Sequence, residues 1–133
     1  MELKFLVADD EEVNRLLLSK ILAPFGKVEF ARNGLETLEQ WERARDNGAP
    51  YNLILLDIMM PEMDGQEALS RIRYKEKQEG LDSGQETKVV MVTSLGDWDN
   101  ALASFKKGVE EYITKPIERA KIVTLLENLK LLS

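Results

Sequence analysis

The sequence predicts an α/β fold, a doubly wound parallel sheet of five strands with helices on both faces. Three observations carry that prediction. Five short apolar runs recur along 133 residues, and patterns with helical spacing separate them. Several of the runs stop abruptly at acidic or hydroxyl residues.

The elements follow in order. KFLVA (4–8) is a nearly continuous apolar run, as expected of a strand buried on both faces. Val13, Leu16, Leu17 and Ile21 then recur at helical spacing, and PFGK ends that helix with Gly26 as its expected cap. VEFA (28–31) reads as the second strand. Asn33 and Gly34 open a helix carrying Leu35, Leu38 and Trp41 that stops near DNGAP. NLILLD (52–57) is the clearest buried strand. Asp64 and Glu67 form a capping box for a helix through roughly Lys77, and EGLDSGQE (79–86) reads as a polar loop. The whole stretch Glu76–Glu86 is expected to be a loop or helix extension remote from any chemistry. KVVMVT (88–93) is the fourth strand, DWDNALASFKKG (97–108) a shorter helix and EEYIT (110–114) the last strand. IERAKIVTLLENLKLL (117–132) closes the chain as an amphipathic helix with Ile122, Leu125, Leu126 and Leu129 inward.

Right-handed crossovers limit the topology, and the flavodoxin-like order 2-1-3-4-5 makes the first and third strands neighbours. Ligands of such sheets bind outside the carboxyl ends of the strands. Those ends carry Asp9 and Asp10, then Asp57, then Thr93 and Ser94, then Thr114, Lys115 and Pro116. Three crowded carboxylates repel one another, and a hard divalent cation relieves the repulsion. Mg²⁺, with Mn²⁺ as a substitute, suits one or two carboxylates plus a phosphate. Lys115 can hold a phosphate oxygen, Thr93 can donate to another, and Asp57 can attack phosphorus. Glu11 and Glu12 need no ligand, because acids in a first helical turn answer the helix dipole.

Composition excludes much else. With no His and no Cys there is no His-ligated zinc, Ser-His-Asp triad, disulfide or thiolate chemistry, and no phosphohistidine on this chain. The net charge of -6 argues against direct nucleic-acid binding. No apolar run reaches membrane-spanning length and no signal peptide stands at the N-terminus, so no membrane insertion is expected and a cytoplasmic location is the default.

VADDEEVNR, LILLDIMMPEMDG, VVMVTS and EYITKP, in this order, resemble the receiver (CheY-like) domain of two-component response regulators over essentially the whole chain. The resemblance implies a phosphorylation switch with Asp57 as phosphoacceptor. It implies Asp10 and Asp57 as direct Mg²⁺ ligands, Asp9 acting through water, and the Met59 backbone carbonyl as a further oxygen. Lys115, Thr93 and Ser94 would contact the phosphoryl group, Thr93 and Tyr112 would form the switch, and Pro116 would follow a cis bond. Tyr112 also reads as a core residue, Asn14 as facing the pocket or solvent, and Trp98 as a packing residue or part of a docking surface. The side chains of Met59 and Leu95, flanking the site, orient water poorly, so slow hydrolysis of the acyl phosphate is expected.

The implied partners are a sensor histidine kinase or histidine phosphotransfer protein and an unidentified output protein. The output would act through the fourth helix, fifth strand and closing helix, or through a phosphorylation-dependent homodimer. Residues 1–133 read as one receiver domain without an output domain, standing alone, serving a relay, or belonging to a larger hybrid protein. Beyond its own phosphorylation and dephosphorylation no enzyme activity is expected. The competing readings are a Mg²⁺-dependent phosphohydrolase with an Asp nucleophile and an interaction domain that is not phosphorylated. Ile58 and Met59 after Asp57 lack the second acid of haloacid dehalogenase-type enzymes.

Overall fold

The computed structural model describes residues 2–81, 85–94 and 108–132. Five strands, β1 (Leu3–Ala8), β2 (Gly26–Ala31), β3 (Leu53–Asp57), β4 (Lys88–Thr93) and β5 (Glu111–Thr114), form one sheet in the order β2-β1-β3-β4-β5. Every neighbouring pair is parallel. The described helices are α1 (Glu12–Leu22), α2 (Gly34–Asp46), α3 (Gly65–Gln78) and α4 (Arg119–Asn128). The predicted helix 97–108, with Trp98, and Leu95 fall outside the described residues, apart from Gly108.

Alternation along the strands divides the core in two. Leu6, Ala8, Ile54, Leu56, Val89 and Met91 face α2 and α3, where Leu38, Trp41, Leu69 and Ile72 are buried. Phe5, Val7, Leu53, Leu55, Val90 and Val92 face α1 and α4, meeting Leu18, Ile21, Leu22, Ile122, Leu125 and Leu126. A sheet covered on both faces explains why the central strands read as unbroken apolar runs.

Four details differ from expectation. Gly26 does not cap α1; Ala23 does, and Gly26 begins β2. A Cβ on Gly26 would lie 2.1 Å from the Leu3 carbonyl oxygen, so close approach of β1 excludes a side chain there. The buried stripe of α1 is Leu18, Ile21 and Leu22, whereas Val13, Leu16 and Leu17 are exposed, as is Leu35 on α2. The closing helix spans only Arg119–Asn128, because Lys130 turns to a left-handed φ of 60°, yet Leu129, Leu131 and Leu132 still pack on the core.

Glu76 is the fourth. It lies in α3, as expected of a helix through roughly Lys77, but it is the fully buried end of a polar network. Its carboxylate accepts from Thr87 N–H at 2.7 Å and from Arg73 Nη1 at 2.7 Å. Arg73 also donates to the carbonyls of Thr87 and Gly108, and Trp41 Nε1 donates to Thr87 Oγ1 at 2.9 Å. The network ties α3 to the start of β4 and the approach to β5, at the sheet edge away from the acids. Both predicted caps with side chains hold: Asn33 accepts from Glu36 N–H at 2.8 Å and Asp64 from Glu67 N–H at 2.9 Å.

Candidate functional site

Parallel strands end together, and the carboxyl edge of the sheet collects the predicted residues. Asp57 is the last residue of β3 and Thr93 the last of β4, while Asp9 and Asp10 follow β1. Asp9, Asp57 and Thr93 are buried; Asp10 is exposed. One carboxylate oxygen from each of Asp9, Asp10 and Asp57 lies within 4.8 Å of the others.

The cation comes from beyond β5. Lys115 N–H donates to the Thr93 carbonyl at 2.7 Å, which seats the residue at the end of β4. Its Nζ reaches Asp57 Oδ2 at 3.2 Å and lies 3.8 Å from Asp9 Oδ2. The exposed Glu11 carboxylate lies 4.0 Å from the same ammonium. The Lys115–Pro116 peptide bond is cis.

Burial first, then the charge of Asp9, pushes the Asp57 carboxyl up to about 6, despite the opposing pull of Lys115. Burial likewise raises Asp9, opposed by the Glu11 N–H and by Lys115. Burial alone would lower Lys115, but the charges of Asp57 and Asp9 outweigh it and hold the ammonium above its ordinary value. One ammonium therefore underbalances the acids. The donor set is all oxygen, clustered and partly buried, and fits a hard divalent cation.

The supporting shell is local. Met59 N–H donates to Asp57 Oδ1 at 3.2 Å while its side chain turns to solvent. A Cβ on Gly65 would lie 2.3 Å from the Asp57 carbonyl oxygen, so the start of α3 rests directly on the strand end. Thr93 Oγ1 donates to the Ser94 carbonyl at 3.1 Å, and Ser94 is half-buried beside it. Tyr112 pairs in register with Met91, and Thr114 with Thr93, so Tyr112 shares a sheet face with Thr93 and packs against the core on that side.

The sequence left two residues undecided or unnoticed. Asn14 pulls the Asp9 carboxyl down through a polar interaction from α1. Arg15 Nη1 donates to the Asp9 carbonyl at 2.7 Å. Helical side chains tilt toward the N-terminus, so a long donor early in α1 was the available signal.

The chain matches the family model described as the response regulator receiver domain over residues 5–127. It belongs to that family. The chain is 32% identical over 127 residues to the chemotaxis protein CheY of Listeria monocytogenes, covering 94% of this chain and 96% of that protein. It is 34% identical over 132 residues to the two-component response regulator ORR41 of Oryza sativa subsp. japonica, covering 97% and 95%. Among solved structures, it resembles a chain of the CheX-CheY-BeF3-Mg complex from Borrelia burgdorferi, with a TM-score of 0.79 and 26% identity over 95% of this chain and 88% of that one. Receiver domains are phosphorylation-dependent signalling switches, and this one carries a cluster of Asp9, Asp10 and Asp57 of which two members are buried. Among the described residues no helix is long and apolar enough to cross a membrane.

Proposed function

We propose that Asp57 of this receiver is the phosphoacceptor and that residues 1–133 act as one switch unit. The contact of Lys115 Nζ with Asp57 Oδ2 at 3.2 Å, beside two further carboxylates, is the observation that carries the reading. Asp10, Asp57 and the Met59 backbone carbonyl would hold Mg²⁺ or Mn²⁺, with Asp9 acting through water. Bound there, the cation would offset carboxylate charge and the charge of the incoming phosphoryl oxygens.

The chain's own residues supply the rest. A carboxylate oxygen of Asp57 attacks phosphorus, a new P–O bond forms as the donor's P–N bond breaks, and the donor's imidazole leaves. Lys115 follows the phosphoryl oxygens. The Thr93 hydroxyl exchanges the Ser94 carbonyl for a phosphoryl oxygen, and Ser94, small and adjacent, gives a second contact. Tyr112, on the same sheet face, takes up the space Thr93 vacates, which shifts an equilibrium already present.

With no His among these residues the phosphoryl group comes from outside them, from a phosphohistidine of a histidine kinase or phosphotransfer protein or from a small phosphodonor. The output partner, or a second copy, reads the face where Tyr112 and Thr114 of β5 meet Lys121, Thr124 and Asn128 of α4. Met59, exposed beside Asp57, offers no carboxylate to activate water, which supports a long-lived acyl phosphate and counts against a phosphohydrolase.

Incubation with Mg²⁺ and phosphoramidate followed by intact mass tests the proposal. One phosphoryl adduct on the wild type and none on Asp57→Asn is the expected result. An undiminished adduct on the variant contradicts it.

A further inference from the structure

Asp9 is gripped at several atoms by the start of α1. Its Oδ1 accepts from Glu11 N–H at 2.9 Å. Its backbone carbonyl accepts from Arg15 Nη1 at 2.7 Å. On the strand side, Asp9 N–H donates to the Ala31 carbonyl at 3.0 Å. The helix meanwhile lacks an ordinary cap: Glu11, at the N-cap position, makes no side-chain capping bond. Asp9 thus serves the helix start, and the helix start fixes Asp9.

We propose that Arg15 is a positioning residue for the acidic pocket, fixing the backbone at Asp9. It holds Asp9 and, through the chain, Asp10 in the arrangement that receives a divalent cation. The inference rests on the reading of that pocket as a metal site. Partners that orient ligands from behind change metal affinity about 10- to 100-fold when removed.

Electrostatics and positioning predict opposite signs for Arg15. Removing a guanidinium from beside an acidic cluster strengthens cation binding if charge alone matters. It weakens binding if the guanidinium holds the ligands in place.

The test is calorimetric Mg²⁺ binding to the wild type, Arg15→Met and Arg15→Lys, with urea midpoints of the metal-free proteins alongside. The expected result is binding weakened about tenfold in Arg15→Met, at the lower end of that range. Arg15→Lys, which keeps a charged donor, recovers most of the loss. If Arg15→Met does not fold, Arg15→Gln takes its place as the neutral variant. Unchanged or tighter Mg²⁺ binding in the neutral variant overturns the inference while leaving the metal site standing. A wild type that binds no Mg²⁺ overturns both.

Discussion

Lys115 is the residue on which the site's balance turns. It lies 3.2 Å from Asp57 and 3.8 Å from Asp9, facing carboxylates that burial and mutual repulsion both disfavour. Replacing Lys115 with Met removes a positive charge that competes with a metal ion but also follows the phosphoryl group. Mg²⁺ binding measured by calorimetry is therefore expected to hold or tighten, while the rate of adduct formation with phosphoramidate falls at least about tenfold, a loss equivalent to one charge-assisted hydrogen bond. Equal losses in both measurements would place Lys115 in the scaffold rather than in the chemistry. At this scale the sequence was most legible where a residue ends an apolar run: Asp57, Thr93 and Lys115 stand out because nothing in a buried strand calls for them. Arg15 was not legible, since its role depends on how far back along a helix a side chain reaches.

Strands were easier to read than helix faces. The central strands are buried on both sides, so composition alone marks them. In α1, three consecutive leucines, Leu16, Leu17 and Leu18, supply two overlapping stripes, and periodicity cannot choose between them. The sheet chose Leu18, Ile21 and Leu22, leaving Val13, Leu16 and Leu17 on the outer side. Glu76 was hidden for a different reason: a buried acid is indistinguishable from a surface one until its partners, Arg73 and Thr87, are in place. Asp64 and Asn33 were legible as caps because their partners lie three residues on. The Glu76 network gives an element-level prediction. Glu76→Ala leaves the Arg73 guanidinium and the Thr87 N–H without their acceptor, and urea denaturation is expected to show a loss of about 3 kcal/mol. Phosphorylation by phosphoramidate at a temperature where the variant stays folded should be unchanged, because the network lies at the other edge of the sheet. A loss of phosphorylation in the folded variant would show that the two edges are coupled.

The molecule as a whole sacrifices stability to keep the acids together. Asp57 has its carboxyl raised from 3.8 to about 6, so between those values the folded protein holds a proton that the unfolded chain has released. Metal-free stability therefore falls as pH rises through that window and stays low above it. Two pKa units correspond to about 3 kcal/mol. Urea midpoints at pH 4 and pH 7.5 are expected to show this decline in the wild type and much less of it in Asp57→Asn, which should be the more stable protein at pH 7.5 without metal. Saturating Mg²⁺ should return stability to the wild type alone, because only its pocket keeps all three carboxylates. A wild type as stable as the Asn variant at neutral pH would show that the strain is absent. The same geometry that imposes this cost brings an oxygen of Asp57 within 3.2 Å of Lys115, and an oxygen of Asp57 is the proposed acceptor of the phosphoryl group. The most direct measurement is chemical trapping: phosphorylate the protein with phosphoramidate and Mg²⁺, reduce with borohydride, which converts an acyl phosphate to an alcohol, and sequence the peptides by mass spectrometry. The account predicts homoserine at position 57 and at no other acidic residue. Homoserine at Asp9 or Asp10, or a phosphoryl adduct that resists reduction, would contradict it.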